Sequence, residues 1–178
     1  MKYYRKIVGN STYLSPVDPD DYELSAKWIN DLDVANGLGY YYKLSSSSKE
    51  KKDLTDSAMN DYLFGIVSKE SDTLLGFCSF VNMNNIHQRA EIFIFIGEKN
   101  MRGKGYGKDA LLQLLEYGFG TLNLNNIMVR VFPFNHIAIN LYKEVGFKQI
   151  GIRRNAFYKD YTYIDEIYMD IIKKDFIS

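Results

Sequence analysis

Three glycines and an apolar run with helical spacing follow one another in Met101–Gly120, which reads MRGKGYGKDALLQLLEYGFG. Glycine lets a ligand approach the backbone closely, and the free N–H groups of a helix's first turn attract anions. Arg102 and Lys104 add positive charge to the same segment. The pattern therefore favours a phosphate-binding loop, although a glycine-rich turn that only connects a strand to a helix fits the same residues.

Two common nucleotide-binding motifs do not fit this spacing. A Walker A loop needs a glycine five residues before its Gly-Lys-Ser/Thr, but Arg102 stands five residues before Gly107, and an aspartate follows the lysine. A dinucleotide fingerprint needs G-x-G-x-x-G, whereas the glycines here are Gly103, Gly105 and Gly107. The choice left open by the residues alone is an anion-binding loop of another kind or a plain connecting turn.

Two motifs, taken in this order, resemble the GNAT superfamily of acetyl-CoA-dependent N-acetyltransferases. Arg102–Gly107 matches the pattern R/Q-x-x-G-x-G/A, and Asn135–Phe147 resembles N-x-x-A-x-x-x-Y-x-x-x-G-F. The segments NMNNIHQRAEI and FYKDYTYIDEIYMDI are similar to the branch that contains spermidine and ribosomal-protein N-acetyltransferases. The resemblance is clearest from Tyr62 to Ile172. The link GEKNM departs from the family because it lacks a common proline and is about one residue longer.

The resemblance implies that acetyl-CoA is the co-substrate. In such enzymes the glycine loop holds the pyrophosphate, and the pantetheine arm lies where two parallel strands splay apart. Asn135 is implied to bond this arm, and Tyr142 is implied to lie near the thioester sulfur. No metal is implied. The implied coenzyme-binding residues are Ile94, Phe95, Ile96, Gly97, Arg102, Gly103, Lys104, Gly105, Tyr106, Gly107, Lys108, Asn135 and Tyr142.

Acetyl transfer to an amine needs a neutral nitrogen and a proton for the departing thiolate. A tyrosine hydroxyl near the sulfur can donate that proton, which makes Tyr142 the candidate catalytic acid. Helical spacing also places Tyr142 on one face with Leu141 and Val145. A tyrosine that only fills the core is therefore the alternative.

Glu91 is the second candidate catalytic residue. Strand alternation places it on the same face as Phe93 and Phe95. A carboxylate in this position can deprotonate an ammonium group, directly or through water, or simply attract it. The alternative is an edge-of-sheet charge that pairs with Arg89 or a lysine.

Composition excludes several classes of function. Lys plus Arg and Asp plus Glu number 22 each, and the formal net charge of zero argues against a general nucleic-acid binder. Cys78 is the only cysteine, so neither an intrachain disulfide nor a Cys/His zinc site is expected. The longest apolar run, Ile92–Ile96, is too short to cross a membrane. We expect a cytoplasmic protein without nucleic-acid or membrane partners.

The order of predicted elements shows how these residues would be positioned. A strand, about fifteen helical residues and another strand require a right-handed parallel crossover. We therefore expect an α/β (α+β) GNAT fold in which a single mixed central β-sheet carries helices on both faces, formed by one domain over residues 1–178. A capping box of Ser47 and Glu50 is expected to start the second helix. Strands are predicted at 5–9, 12–17, 62–68, 73–83, 89–97, 125–132, 149–157 and 162–172, and helices at 18–31, 47–60, 107–119 and 136–147.

The function implied is transfer of an acetyl group from acetyl-CoA to a primary amine by direct attack. A small molecule such as a polyamine or an amino sugar is favoured as acceptor, because no extended charged groove for a macromolecule is evident. A protein N-terminus and a non-catalytic CoA-binding module are the alternatives. Members of the family often form homodimers, and the sequence leaves that question open.

Overall fold

A computed structural model describes residues 2–60 and 62–177. Met1 and Ser178, the ends of the predicted domain, lie outside these ranges, as does Asp61. The described elements are β1 Ile7–Val8, β2 Thr12–Pro16, α1 Tyr22–Ile29, α2 Leu32–Leu38, α3 Ser47–Asn60, β3 Tyr62–Ser68, β4 Leu74–Asn84, β5 Arg89–Ile96, α4 Tyr106–Glu116, β6 Asn126–Val131, α5 His136–Val145, β7 Lys148–Lys159, β8 Thr162–Ile172 and α6 Lys173–Ile177.

The strands belong to one mixed sheet in the order β1-β2-β3-β4-β5-β6-β8-β7. β5 and β6 run parallel, as the α4 crossover requires. The pairs β1–β2, β2–β3, β3–β4, β6–β8 and β7–β8 are antiparallel. The predicted mixed α/β class is confirmed.

The chain divides into two compact units. The first takes the described residues up to Val81 together with Phe93–Tyr117, and the second takes Asn82–Ile92 together with the described residues from Gly118 onward. The single domain remains a prediction. No helix within 2–60 and 62–177 has both the length and the apolar character needed to cross a bilayer.

Helices cover both faces of the strands in the first unit. On one face the α1 residue Trp28 is 1% exposed and meets Phe77 and Phe95 edge-on, with ring centroids 5.7 and 6.3 Å apart. On the other face α4 lies against β2, where Gln113 Nε2 donates to Thr12 Oγ1 at 2.8 Å. Trp28 is therefore a core residue. The predicted buried face of α4 is also confirmed by the fully buried residues Ala110, Leu111, Leu114 and Leu115.

The strands of the second unit have one apolar and one polar face. In β6, Ile127, Val129 and Val131 are buried and alternate with more exposed residues, as a strand with one face in the core requires. α5 ends at Gly146, whose φ of 109° suits glycine, and a Cβ added there would lie 3.4 Å from Ile171 Cδ1. The end of α5 therefore lies on the apolar face of β8.

Two local features differ from the predictions. The predicted helix 18–31 is observed as a 3-10 turn, Pro19–Asp21, followed by α1. The helix after it, α2, was not predicted, and it starts where the Asp31 carboxylate accepts the N–H groups of Asp33 and Val34. The predicted capping box of α3 is absent, since the Ser46 hydroxyl, not that of Ser47, accepts the Lys49 N–H. The side chain of the box's glutamate is buried instead and accepts hydrogen bonds from Ser25 and Ser45.

Candidate active site

The glycine loop lies at the N-terminus of α4 in the first unit. Gly103 and Gly105 have φ of 73° and 86°, a left-handed conformation that favours glycine. A Cβ at either position would meet no atom of the described residues within 4 Å, so the backbone there faces open space. Asp109 N–H donates to Gly105 O at 3.0 Å, so the N–H groups of Tyr106 and Gly107 lie before this first backbone hydrogen bond of α4. These donors, the helix dipole and the open space suit a diphosphate.

The Arg102 side chain binds backbone carbonyls at the end of β5. Its Nε donates to Ile96 O at 2.9 Å and its Nη2 donates to Gly97 O at 3.0 Å. Its Nη1 lies 3.5 Å from Asp33 Oδ2, which also pairs with Lys99 at 3.2 Å. The guanidinium therefore connects the loop to the strand end and to α2, and it is not aimed at the open space above the glycines.

The backbone groups of the four strand-end residues, 94–97, point alternately to the two sides of β5. Gly97 N–H donates to Leu75 O at 2.8 Å, and a Cβ on Gly76 would lie 2.0 Å from Phe95 O, so Phe95 and Gly97 face β4. Because strand residues alternate, the N–H groups of Ile94 and Ile96 point to the opposite side. These two amides are therefore the better candidates for pairing with a pantetheine arm.

The remaining loop residues surround this backbone. Gly107 is packed on the strand end, because a Cβ there would lie 3.8 Å from Ile96 Cγ1. The exposed Lys104 has its Nζ 3.9 Å from Met101 Sδ. Tyr106 and Lys108 are half-buried in the first turn of α4. The structure thus brings the predicted loop and strand-end residues together within one unit.

Asp109 fixes the first turn of α4 against the turn between β1 and β2. Its carboxylate accepts the N–H groups of Asn10, Ser11 and Thr12 at 2.8–3.0 Å, and Thr12 Oγ1 donates to it at 2.6 Å. Burial raises the pKa of Asp109, but the hydrogen bonds from these donors outweigh burial, so the pKa lies below its usual value. The charged carboxylate therefore stabilises the helix that carries the loop.

Asp109→Ala should lower the free energy of unfolding by about 2–3 kcal/mol at pH 7, because several partly buried donors lose their acceptor. The pKa of Asp109 is lower in the folded state than in the unfolded state, where it is about 3.9. The charged carboxylate therefore stabilises the fold at pH values above about 3.9. This stabilisation is lost as the pH falls through the folded-state pKa. The stability difference between wild type and Asp109→Asn should therefore shrink below about pH 4. Urea unfolding at pH 7 and pH 3.5 measures both effects.

The exposed Asp20 provides the control, because its only ion pair in the described ranges, with Lys51, spans 3.6 Å. Asp20→Asn should change the unfolding free energy by less than about 0.5 kcal/mol. Equal losses for the Asp20 and Asp109 variants would contradict the anchoring role.

Asn135 and Tyr142 both belong to α5 in the second unit. Asn135 caps the helix, with its Oδ1 accepting the Ala138 N–H at 3.2 Å. Tyr142 is 6% exposed, its ring centroid lies 5.4 Å from that of Phe147, and burial raises its pKa to about 12. Tyr142 is thus well packed, as the core alternative requires, and its hydroxyl stays protonated at any ordinary pH.

Glu91 lies on the polar face of the second unit, opposite to the face that carries the end of α5. Arg130 Nε donates to Glu91 Oε2 at 3.0 Å, and Arg130 Nη1 lies 3.5 Å from Glu166 Oε1. Tyr168 OH donates to Glu166 Oε2 at 2.9 Å. The ion pair expected with Arg89 or a lysine is thus made by Arg130.

Arg130 and Glu166 are functional candidates that the sequence did not single out. Glu166 is 8% exposed and is bound by two neighbours. The available signal was a single arginine near the end of the predominantly apolar strand NIMVRVF. Cys78, by contrast, is fully buried, and burial raises the pKa of its thiol, so the thiol is unreactive.

Comparison with known proteins gives the same fold. The chain is 39% identical over 85 residues to the N-acetyltransferase p20 of Bacillus licheniformis, covering 48% of this chain and 47% of p20. It is 34% identical over 82 residues to the spermidine N(1)-acetyltransferase of Vibrio cholerae, covering 46% of this chain and 47% of that protein. The matched part spans about half the length of each of these two curated relatives.

A solved structure extends the likeness to nearly the whole chain. The spermidine N-acetyltransferase of Vibrio cholerae in complex with CoA and spermine matches with a TM-score of 0.85 at 23% identity, covering 94% of this chain and 99% of that chain. A family model described as an acetyltransferase (GNAT) domain matches residues 14–168. Because this match includes most of the sequence, the chain belongs to the GNAT family of acetyltransferases.

Proposed function

We propose that this protein is an N-acetyltransferase that moves an acetyl group from acetyl-CoA to a small primary amine. The observation that carries the proposal is the glycine loop of the first unit, where Gly103 and Gly105 open the backbone at the N-terminus of α4. We assign the loop to the pyrophosphate and the N–H groups of Ile94 and Ile96 to the pantetheine arm. Family membership supports this assignment.

In the proposed reaction, acetyl-CoA supplies the acetyl group and leaves as the free thiol. Glu91 takes a proton from the acceptor ammonium, directly or through water, so that the neutral nitrogen can attack. The new C–N bond forms as the C–S bond breaks. Tyr142 donates a hydrogen bond and then its proton to the departing sulfur, and the proton that the new amide nitrogen loses restores the Tyr142 hydroxyl. Asn135 positions the pantetheine arm.

The acceptor is proposed to be a cationic small molecule, either a polyamine or an amino sugar. Glu91 and Glu166 place two carboxylates beside the single guanidinium of Arg130. An excess of negative charge attracts an ammonium group and lowers the cost of removing it from water. The similarity to a spermidine N(1)-acetyltransferase favours the polyamine. A cytoplasmic location and a homodimer remain predictions.

Thiol release tests this function. Wild-type protein is mixed with acetyl-CoA and a thiol reagent, and polyamines, amino sugars or short peptides with free N-termini are then added. Release with a polyamine or an amino sugar is the expected result. Release only with peptides supports the protein N-terminal alternative. Binding of acetyl-CoA without release on any amine supports the non-catalytic CoA-binding module.

A further inference from the structure

Arg130 is the penultimate residue of β6, and its side chain reaches both neighbouring strands. The register pairs Glu91 of β5 with Met128 of β6, and Arg130 of β6 with Tyr168 of β8. Arg130 therefore lies on the polar face of the sheet, two residues beyond Met128, the β6 partner of Glu91. Its planar guanidinium places Nε against Glu91 and Nη1 toward Glu166. A lysine, with a single ammonium, has no such fork.

Glu166 holds the far side of this guanidinium. Its side chain is 11% exposed, and each carboxylate oxygen has a partner, Arg130 for Oε1 and Tyr168 for Oε2. The contacts therefore run from Tyr168 through Glu166 and Arg130 to Glu91. All four residues belong to β5, β6 and β8, so strand pairing fixes their spacing.

We infer that Arg130 is a positioning residue for Glu91, with Glu166 and Tyr168 fixing the orientation of its guanidinium. The inference rests on the proposed role of Glu91. An exposed ion pair contributes little and leaves its partners free to move. The Arg130 side chain is 46% exposed, but the Glu91 and Glu166 side chains on either side of it are only 21% and 11% exposed. The shielded carboxylates of Glu91 and Glu166 are joined by Arg130, and this Glu–Arg–Glu arrangement has a fixed geometry. Such an arrangement holds the Glu91 carboxylate in one orientation toward the acceptor nitrogen.

Other charged groups share this polar face with Glu91. Arg89 lies two residues before Glu91 on β5. Asp170 on β8 accepts a hydrogen bond from Asn126 Nδ2 at 2.7 Å. Lys148 and Arg153 on β7 stand opposite Asp170 and Glu166 in the register, and Lys148 pairs with Asp175 at 2.7 Å. The contacts of Asp170 and Lys148 do not involve Glu91, and Arg130 is the cation that contacts the Glu91 carboxylate.

The test compares kcat and KM for the amine in Arg130→Met, Arg130→Lys and Glu166→Gln. Losing the guanidinium should lower kcat about ten- to a hundredfold with little change in KM, because the Glu91 carboxylate loses the contact that fixes its orientation. Arg130→Lys should restore part of the loss in kcat. Glu166→Gln, whose side chain has nearly the same shape as that of glutamate, should lower kcat in the same way but by less. The Kd of acetyl-CoA should stay unchanged in all three.

Asn126→Ala is the matched control, because it breaks a hydrogen bond to another acid on the same face without touching Arg130. It should leave kcat unchanged. An unchanged kcat in both Arg130→Met and Glu166→Gln would overturn the positioning role. A loss of kcat that Asn126→Ala reproduces would also overturn it. If the wild type releases no thiol with any amine, the proposed function itself fails and the positioning role fails with it.

Discussion

Replacing Tyr142 with phenylalanine should lower kcat roughly ten- to a thousandfold, the usual contribution of one proton-transfer group. The ring should still pack against Phe147, since the variant removes only the hydroxyl. Acetyl-CoA affinity should therefore persist, and the loss should appear in kcat rather than in Kd. Steady-state kinetics together with a binding titration measure both quantities.

The pH profile adds a second readout for Tyr142. Because burial raises its pKa to about 12, the hydroxyl remains a donor at every pH at which the protein is stable. Tyr142 should therefore cause no alkaline fall in kcat below about pH 11, and Tyr142→Phe should lower the whole profile without changing its shape. Tyr117→Phe is the control, since Tyr117 packs on Phe64 with ring centroids 5.8 Å apart. An unchanged kcat for Tyr142→Phe, with chemistry rate-limiting, would remove the acid role.

Gly105→Leu should weaken acetyl-CoA binding about ten- to a hundredfold while the fold survives. The side chain would enter the open space above the loop and block backbone N–H donors, and each hydrogen bond to a charged group contributes about 1.5–3 kcal/mol. Gly105→Ala has the same strained φ of 86° but little bulk. The additional loss from Ala to Leu, measured by calorimetric titration, therefore separates bulk from strain.

Gly146→Ala is the control for strain outside the loop. Gly146 also has positive φ, 109°, and it ends α5 in the second unit. Its replacement should reduce stability, which thermal unfolding monitors, and should leave the Kd of acetyl-CoA unchanged. Equal affinities for wild type and Gly105→Leu would show that the pyrophosphate binds elsewhere.

The elements with strong local patterns were predictable from the sequence. α4 carries apolar residues at helical spacing after a glycine turn, and its predicted face is fully buried. β6 and β8 alternate clearly, and Gly146 marks the end of α5. These signals are local, because periodicity and terminal residues reflect the geometry of one element.

The contacts that define the polar face were not predictable. The pairing of Arg130 with Glu91 and Glu166 depends on the register of three strands, which the sequence of any one strand does not contain. Arg102 was expected to add charge for phosphate, yet its side chain binds the carbonyls of Ile96 and Gly97. Such roles depend on where the chain returns in space.

Transfer itself is tested most directly with acetyl-CoA labelled with carbon-13 in its acetyl group. Wild-type protein, the labelled donor and spermidine or glucosamine are incubated together, and the small molecules and the intact protein are then weighed by mass spectrometry. We predict one labelled acetyl group on an amine nitrogen of the small molecule, free CoA in equal amount, and no acetylated protein intermediate after rapid quenching. Unlabelled amine beside protein that still binds the donor would contradict the proposed function.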